Sequence, residues 1–289
     1  MSSQHPAPWS RREFLGRLTL AGTAGGFGLH SRPVAAEPPP ETTRLRLEQI
    51  EGICIAPQYV AEELLHVEGF TEVQYVQTGY GATLYQALGS GALDLTMSFV
   101  PASLIQLDVG TPIVLLGGVH VGCFELFGTE RVRAIRDLKG RIVAVPEQGG
   151  VHHLFLASMA QYVGLDPRKD ITWVLHPPAE SIPLLAEGRI DALVGFPPGP
   201  QELRAKQIGH AVVNSAVDRP WSQYFCCIVT GNREFVRKYP VATKRALRAI
   251  LKATDVGALE PNRAAQLIVD KGFTPRYDYA PPNDAGDAL

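Results

Sequence analysis

Two patterns of hydrophobic and polar positions alternate along residues 45–98. Short apolar runs of five or six residues, typical of buried strands, are separated by segments in which apolar residues recur at helical spacing. The pattern predicts the order strand, helix, strand, helix, strand, at residues 45–50, 58–66, 71–77, 82–88 and 93–98.

The same order recurs in the second half of the chain, at residues 141–145, 152–163, 171–175, 180–186 and 190–195. The phrases Gly91-Ala92-Leu93-Asp94 and Gly188-Arg189-Ile190-Asp191 occupy matching places. Each puts a glycine where a helix ends and an aspartate where a buried strand begins. We interpret the match as an internal duplication. It predicts two α/β lobes, each a parallel sheet covered by helices on both faces.

Two further apolar runs are suited to crossing between the lobes. Residues 111–127 form a nearly continuous apolar and glycine run, which predicts a strand leaving one lobe and a hinge before the other. Residues 224–230 are the candidate return crossing, and residues 240–258 form a helix expected to pack on the first lobe with its basic face in solvent. The predicted lobes are residues 44–119 plus 229–280, and residues 120–228.

The first 36 residues have the pattern of a targeting segment. Ser10-Arg11-Arg12-Glu13-Phe14-Leu15 precedes a Gly-rich apolar run, and Val34-Ala35-Ala36 supplies small residues for cleavage. We predict a twin-arginine signal cleaved after Ala36, with an ordinary secretory signal as the alternative, and a periplasmic location. Residues 37–43 are predicted to be a linker and residues 281–289 a disordered tail.

Charge and cysteine usage exclude several classes of function. The formal net charge is −2, and removal of residues 1–36 leaves about −5. Because no long Lys/Arg run is present, nucleic acid is not expected as a partner. The spacing of the four cysteines suggests neither a disulfide scaffold nor a zinc site. We therefore predict a monomer that binds a small solute, with no cofactor and no metal.

Ligands of open parallel sheets bind beyond the carboxyl ends of the strands, where loops lead into helices. The loops at those ends contain no Arg or Lys, so an anion there would be held by backbone N–H groups. This composition suits a small solute that is neutral or weakly anionic. The candidate ligand-binding residues are Cys54, Ile55, Gln58, Tyr80, Gly81, Thr83, Ser98, Phe99, His120, Gln148, Gly149, His152, Phe196 and Trp221.

Several of these residues allow a second interpretation. Cys54 precedes a predicted helix, whose N-terminus can activate a thiol as a nucleophile, but packing or cleft lining is favoured. Cys226 and Cys227 are expected to pack in the core or hinge, because neighbouring side chains of a strand point to opposite faces. His152 and His153 lie about 100° apart on a helix and do not converge on a metal. Trp221 either stacks on a planar ligand or closes the edge of a lobe.

Motifs along the chain resemble one known family. Ala56-Pro57-Gln58-Tyr59-Val60-Ala61-Glu62-Glu63, Gly91-Ala92-Leu93-Asp94, Asp137-Leu138-Lys139-Gly140-Arg141-Ile142-Val143 and Glu187-Gly188-Arg189-Ile190-Asp191-Ala192 occur in this order. Together they resemble the nitrate/sulfonate/taurine (NMT1/THI5-like) family of ABC-transporter substrate-binding proteins.

The resemblance implies a type II periplasmic-binding-protein fold, an α/β architecture of two βαβαβ-based lobes joined by a hinge with a ligand cleft between them. It further implies delivery of a solute to the permease subunit of an ABC importer. Nitrate, a sulfonate, taurine and a small aromatic or pyrimidine compound all remain open as solutes. The alternative is an enzyme on the same fold, similar to a desulfinase or a thiamine-pyrimidine synthase, with Cys54 as nucleophile.

Overall fold

The structure is a computed structural model that describes residues 37–50, 52–78 and 82–273. The predicted signal at residues 1–36, the predicted tail at residues 281–289, and the site candidates Tyr80 and Gly81 lie outside the described residues. Within the described part of the chain, no helix has both the length and the apolar character needed to cross a membrane.

Five strands form a first sheet in the order β2-β1-β3-β10-β4. Their bounds are β1 Arg44–Glu48, β2 Glu72–Val76, β3 Leu95–Phe99, β4 Ile113–Val121 and β10 Phe225–Asn232. Strand β1 pairs in parallel with β2 and β3, whereas β10 is antiparallel to both β3 and β4.

A second sheet repeats this plan in the order β7-β6-β8-β5-β9. Its strands are β5 Glu125–Gly128, β6 Arg141–Val145, β7 Ile171–Leu175, β8 Ala192–Gly195 and β9 His210–Asn214. The duplicated order of elements is thus confirmed. The expectation of fully parallel sheets is wrong, because β5 and β10 each enter from the other sheet and run antiparallel to their neighbours.

Helices cover the sheets. They are α1 Ala56–Val60, α2 Glu62–Val67, α3 Ala82–Ser90, α4 Val100–Asp108, α5 Val151–Tyr162, α6 Pro178–Ala186, α7 Gly199–Ala205, α8 Arg233–Lys238, α9 Pro240–Leu259 and α10 Pro261–Asp270, with 3₁₀ turns at Ile53–Ile55, Ile135–Leu138 and Trp221–Gln223. Helices α4, α7, α8 and α10 and strand β9 were not predicted from the sequence. Four of these five are at most nine residues long, which is too short for a clear periodicity.

The duplicated aspartates make equivalent contacts. Asp94 accepts hydrogen bonds from the backbone N–H of Arg46 at 2.7 Å and from its guanidinium, while its own N–H donates to the Arg46 carbonyl. In the second sheet, Asp191 accepts from the N–H of Ile142 at 2.9 Å and donates to the Ile142 carbonyl. Arg131, from another segment, pairs with Asp191 at 2.8 Å. Each aspartate therefore joins the start of one strand to the neighbouring strand.

The chain passes from the first sheet to the second within three residues, 122–124. Gly122 has a φ of +77°, and a Cβ atom at this position would lie 2.7 Å from the Cβ of Ala216, which belongs to the segment that returns to β10. Glycine is therefore required both for the backbone conformation and for the close approach of the two crossings.

The basic face of α9 is not simply solvated, contrary to expectation. Arg248 forms a short bidentate contact with the carboxylate of Glu68, and Arg245 lies 3.7 Å from the same group. The Arg248 hydrogen bond, together with the charges of Lys252 and Arg245, keeps the pKa of Glu68 below its usual value. At the start of α9, Glu41 accepts hydrogen bonds from two backbone N–H groups, so the predicted linker is anchored there.

The two aspartates give a matched test of the duplication. We expect Asp94→Ala to lower the free energy of unfolding by about 3 kcal/mol, because it leaves a buried N–H and a guanidinium without their partner. We expect Asp191→Ala to cost about half as much, since half of the Arg131 side chain is exposed to solvent. Urea denaturation measures both, with the exposed Asp108→Ala as the control. Equal, negligible losses at both sites would contradict the structural role.

Candidate functional site

The 3₁₀ turn after β1 brings several of the predicted site residues together. Cys54 and Ile55 are buried in this turn, and the Cys54 carbonyl accepts a hydrogen bond from Nε2 of His120 at 2.8 Å. Phe196, which follows β8 of the second sheet, approaches this turn closely enough that a Cβ atom on Gly52 would lie 3.9 Å from both its ring and the Cys54 sulfur. Residues of both sheets therefore meet here.

An aromatic cluster continues the site on the side of the second sheet. The ring of Phe124 lies 5.5 Å from Phe99, 5.4 Å from His152 and 4.8 Å from Phe155, measured between ring centroids. His152 also lies 5.0 Å from Phe196. These separations and tilted ring angles are those of favourable aromatic contacts. The cluster joins β3 of the first sheet to α5 of the second.

Two cavities adjoin the aromatic cluster. The smaller, of about 200 Å³, lies between the sheets and is lined by Phe99, Val100, Pro101, Gly122, Phe124, Val151, Phe155, Ser158, Ser215, Trp221, Tyr224, Phe225 and Cys226. The larger, of about 330 Å³, lies at the carboxyl ends of β6, β7 and β8, where His152, His176 and Phe196 face the starts of α6 and α7. Both have predominantly apolar walls.

Charge is scarce at these cavities. Among the described residues, no Lys or Arg lines either of them, in agreement with the loop composition. Glu202 is on the wall of the larger cavity, and its carboxylate pairs with Lys206 at 2.5 Å. A strongly anionic ligand would thus meet no guanidinium or ammonium group on these walls, whereas an apolar planar ligand would meet several aromatic rings.

Two predicted site residues have polar groups that are already satisfied within the first sheet. Gln58 is fully buried, donates to the Glu48 carbonyl and accepts from the Met97 N–H. Ser98 is buried between Ser103 and Thr230, at 2.9 and 2.6 Å. Gln58 thereby links β1 to β3, and Ser98 links β3 to α4 and β10.

Three other predicted residues, Thr83, Gln148 and Gly149, are exposed and line neither cavity. The two adjacent histidines diverge as expected. His152 turns toward Phe124 and Phe196, while His153 contacts Trp173 edge-to-face at 4.5 Å between ring centroids and accepts a hydrogen bond from the Gly149 N–H. Trp221 contacts Tyr162 edge-on and also lines the smaller cavity.

The four cysteines are free thiols that come from three separate parts of the chain, and three of them lie together in space. The sulfur atoms of Cys54, Cys123 and Cys227 are within 4.8 Å of one another, and those of Cys123 and Cys227 are 3.7 Å apart. Cys226, the neighbour of Cys227, lines the smaller cavity. The prediction of ordinary core packing for Cys226 and Cys227 did not anticipate this cluster, because 54, 123 and 227 show no local spacing.

The Cys54 thiol is poorly suited to act as a nucleophile. Its side chain is 2% exposed. A hydrogen bond with Cys123 favours the thiolate, but a hydrogen bond with Cys227 and burial outweigh it and raise the pKa of Cys54 to about 12. The thiolate is the reactive form of cysteine, so a raised pKa and burial both disfavour attack on a substrate.

His152 is the polar group most directly aimed at the site. It is 7% exposed, lines the larger cavity, and its Nε2 has no hydrogen-bond partner among the described residues. Burial lowers the pKa of His152 to about 4, so the ring is neutral near pH 7. A neutral imidazole in an apolar wall is fit to exchange one hydrogen bond with a polar atom of a bound solute.

The residues that sequence reasoning missed include Phe124, Phe155 and Cys123. Phe155 follows His152 by three positions in α5 and so lies on the same helix face, which is a signal that the sequence contains. Phe124 and Cys123 lie in the three-residue crossing, which is too short to show a periodicity from which the direction of a side chain could be predicted.

Burial of His152 predicts a pH dependence of stability. The native-state pKa, about 4, lies below the unfolded value of about 6.5, so between these values the unfolded chain binds more protons. We expect the contribution of this residue to fall by about 3 kcal/mol as pH drops from 7 to 4. Urea denaturation across this range measures it. His152→Phe should remove that part of the slope, and an unchanged slope would contradict the assignment.

Comparison with known proteins agrees with this architecture. Residues 38–269 match the NMT1-like family. A 4-amino-5-hydroxymethyl-2-methylpyrimidine phosphate synthase of Saccharomyces cerevisiae, THI12, is 28% identical over 209 residues, which is 67% of this chain. The chain spans 59% of the length of that curated relative.

Two solved structures are similar in fold. The periplasmic nitrate-binding protein NrtA of Synechocystis PCC 6803 has a TM-score of 0.66 and 18% identity, covering 86% of this chain and 70% of its own. The alkanesulfonate-binding protein SsuA of Xanthomonas axonopodis pv. citri, bound to MOPS, has a TM-score of 0.63 and 20% identity, covering 88% and 84%. The chain thus has the α/β fold of periplasmic binding proteins, and it belongs to the NMT1-like family.

Proposed function

We propose that the protein is a periplasmic solute-binding protein of an ABC importer, whose solute is a small, uncharged, planar compound of the aromatic or pyrimidine class. The observation that carries this proposal is the pair of apolar cavities joined by five aromatic rings, with no Lys or Arg on the walls that the structure describes. Planar rings stack on such walls.

Within this proposal, the chemistry of the walls distinguishes between the solutes that the family resemblance left open. Nitrate and sulfonates carry a full negative charge, and its transfer into an apolar cavity without a cation is costly. An uncharged heterocycle avoids that cost and can use the neutral ring of His152 for one hydrogen bond. The relatives that bind nitrate and alkanesulfonate therefore support the transport role more than they indicate the solute.

The proposed mechanism is closure of two lobes on the solute. Each lobe is built around one of the two sheets with its helices. The boundaries proposed from the sequence, residues 44–119 plus 229–280 and residues 120–228, fall within β4 and β10, the strands that lead into and out of the crossings. A solute that contacts Phe99 from one sheet and Phe124, His152 and Phe196 from the other binds the closed form more tightly, and so shifts the population toward it. The closed form would then dock on the permease. Export by the predicted twin-arginine signal belongs to the same proposal.

A solute panel tests the proposed chemistry. We expect aminopyrimidines and small uncharged heteroaromatics to raise the melting temperature, because a ligand that binds only the folded form stabilises it by mass action. Nitrate, taurine and alkanesulfonates should leave it unchanged. Differential scanning fluorimetry of the protein, prepared without its signal segment, is the measurement. Stabilisation by the anions alone would overturn the choice of solute.

Substitution at Trp221 tests where that solute binds. We expect Trp221→Leu to weaken binding of the stabilising heterocycle by about tenfold, through loss of a stacking surface. Isothermal titration calorimetry measures this change. Trp173→Phe is the control, because Trp173 lines neither cavity and its ring contact is with His153, which also lines neither. Equal weakening by both variants would mean that the solute binds elsewhere.

The alternative function is an enzyme that uses Cys54 as nucleophile, and the similarity to the yeast synthase is the observation in its favour. Burial and the raised pKa of Cys54 argue against it. We expect the protein to leave every stabilising compound chemically unchanged. Mass spectrometry of each mixture over several hours measures this. If product forms with the unsubstituted protein, and Cys54→Ser abolishes it while affinity is retained, the binding-only function is wrong.

A further inference from the structure

We propose that Cys54, Cys123 and Cys227 form a binding site for one thiophilic metal ion with a filled d shell, Zn(II) or Cu(I). The site is separate from the aromatic cavities and does not depend on the identity of the solute.

The three sulfur atoms are spaced as such an ion requires. Metal–sulfur bonds of ~2.3 Å place two ligand sulfurs roughly 3.8–4.0 Å apart in tetrahedral or trigonal coordination. Cys123 and Cys227 are 3.7 Å apart, and all three sulfurs lie within 4.8 Å of one another. Side-chain shifts of about 1 Å or less would close the ligand set around one ion.

The three thiols come from separate parts of the chain that meet where the sheets join. Cys54 lies in the turn after β1, Cys123 in the crossing from β4 to β5, and Cys227 near the start of β10, which carries the returning chain. Cys54 and Cys227 are buried, so water competes little for the ion. Soft thiolate ligands in a water-poor site select Zn(II) and Cu(I) over hard cations.

His120 orients the residues of the three-thiol group but is not a ligand of the proposed ion. Its Nε2 lies 2.8 Å from the Cys54 carbonyl and its Nδ1 lies 3.2 Å from the Val121 carbonyl, so both ring nitrogens already face backbone oxygens. Nδ1 is also 3.8 Å from the Cys123 sulfur. His120 thus fixes the turn that carries Cys54 and the strand that leads to Cys123. Such supporting hydrogen bonds orient the ligands of metal sites.

Binding exchanges three thiol protons for the ion. Each of the three S–H groups gives its proton to the buffer as its sulfur donates an electron pair to the metal, and no electron is transferred to or from the ion. The resulting bonds would link the crossing at residues 122–124 to the 3₁₀ turn that follows β1. The ion would therefore stiffen the junction at which the proposed lobes move.

Titration of the reduced protein with Zn(II) and, anaerobically, with Cu(I) tests the site. We expect one equivalent of either ion, counted by native mass spectrometry, with the tighter ion identified by competition against a chromophoric chelator. The loaded protein should show three of its four thiols protected from alkylation, and the free one should be Cys226. This readout needs no variant, so it holds even if a substitution prevents folding.

Variants locate the ion. Cys54→Ala and Cys123→Ala, each checked for folding by circular dichroism, should weaken binding by at least about 100-fold. Cys226→Ala is the control for the choice of ligands. The Cys226 thiol contacts those of Cys123 and Cys227 but is not one of the three sulfurs that lie within 4.8 Å of one another, so its loss should change binding by less than about threefold.

Several results would overturn the proposal. They are no bound ion, binding that survives loss of Cys54 and Cys123, or equal weakening by Cys226→Ala. Oxidation of Cys123 and Cys227 to a disulfide that the metal does not prevent would also overturn it. None of these outcomes bears on the proposed solute, which is measured separately in the presence of a chelator.

Discussion

The structure depends on one constraint, that the chain must cross between two sheets twice within a very small space. The outward crossing uses residues 122–124, and it packs so closely against the returning segment that no side chain fits at Gly122. Each crossing enters the sheet that it joins as an antiparallel strand, which is β5 in the second sheet and β10 in the first. The two sheets therefore share one arrangement of five strands, with the entering strand in the fourth position. The aromatic cluster, the smaller cavity and the thiol group all surround this junction.

Desolvation determines what chemistry the junction can perform. The rings of Phe124 and Phe196 keep water from His152, which stays neutral, and burial in the core does the same for Cys54. Most charged groups are held in pairs away from the junction, such as Asp94 with Arg46 and Glu68 with Arg248, and Glu202 on the wall of the larger cavity is paired with Lys206. A site of this kind recognises shape, ring faces and single hydrogen bonds, and it recognises net charge poorly.

Much of the fold could be predicted from the sequence because both copies obey local rules. The strands Arg141–Val145 and Ile171–Leu175 have their predicted bounds, and the glycines at 91 and 188 have the positive φ that a helix end favours. The antiparallel strands could not be predicted, since direction within a sheet is set by which segment pairs with which. Short elements such as α7 and β9 carry too few residues for a periodic signal.

The residues of the site were harder to predict from the sequence than the strands and helices of the fold. The ends of strands brought Cys54, His120 and Phe196 close to one another, yet Gln58 from the same region links two strands through a buried amide. Sequence position gives the loop but not the direction of the side chain or its competing partners. The thiol group is the extreme case, because its members are 69 and 104 positions apart and only the topology of the two crossings brings them together. Residues of one type that are scattered along a chain can therefore be brought into one cluster by the fold alone.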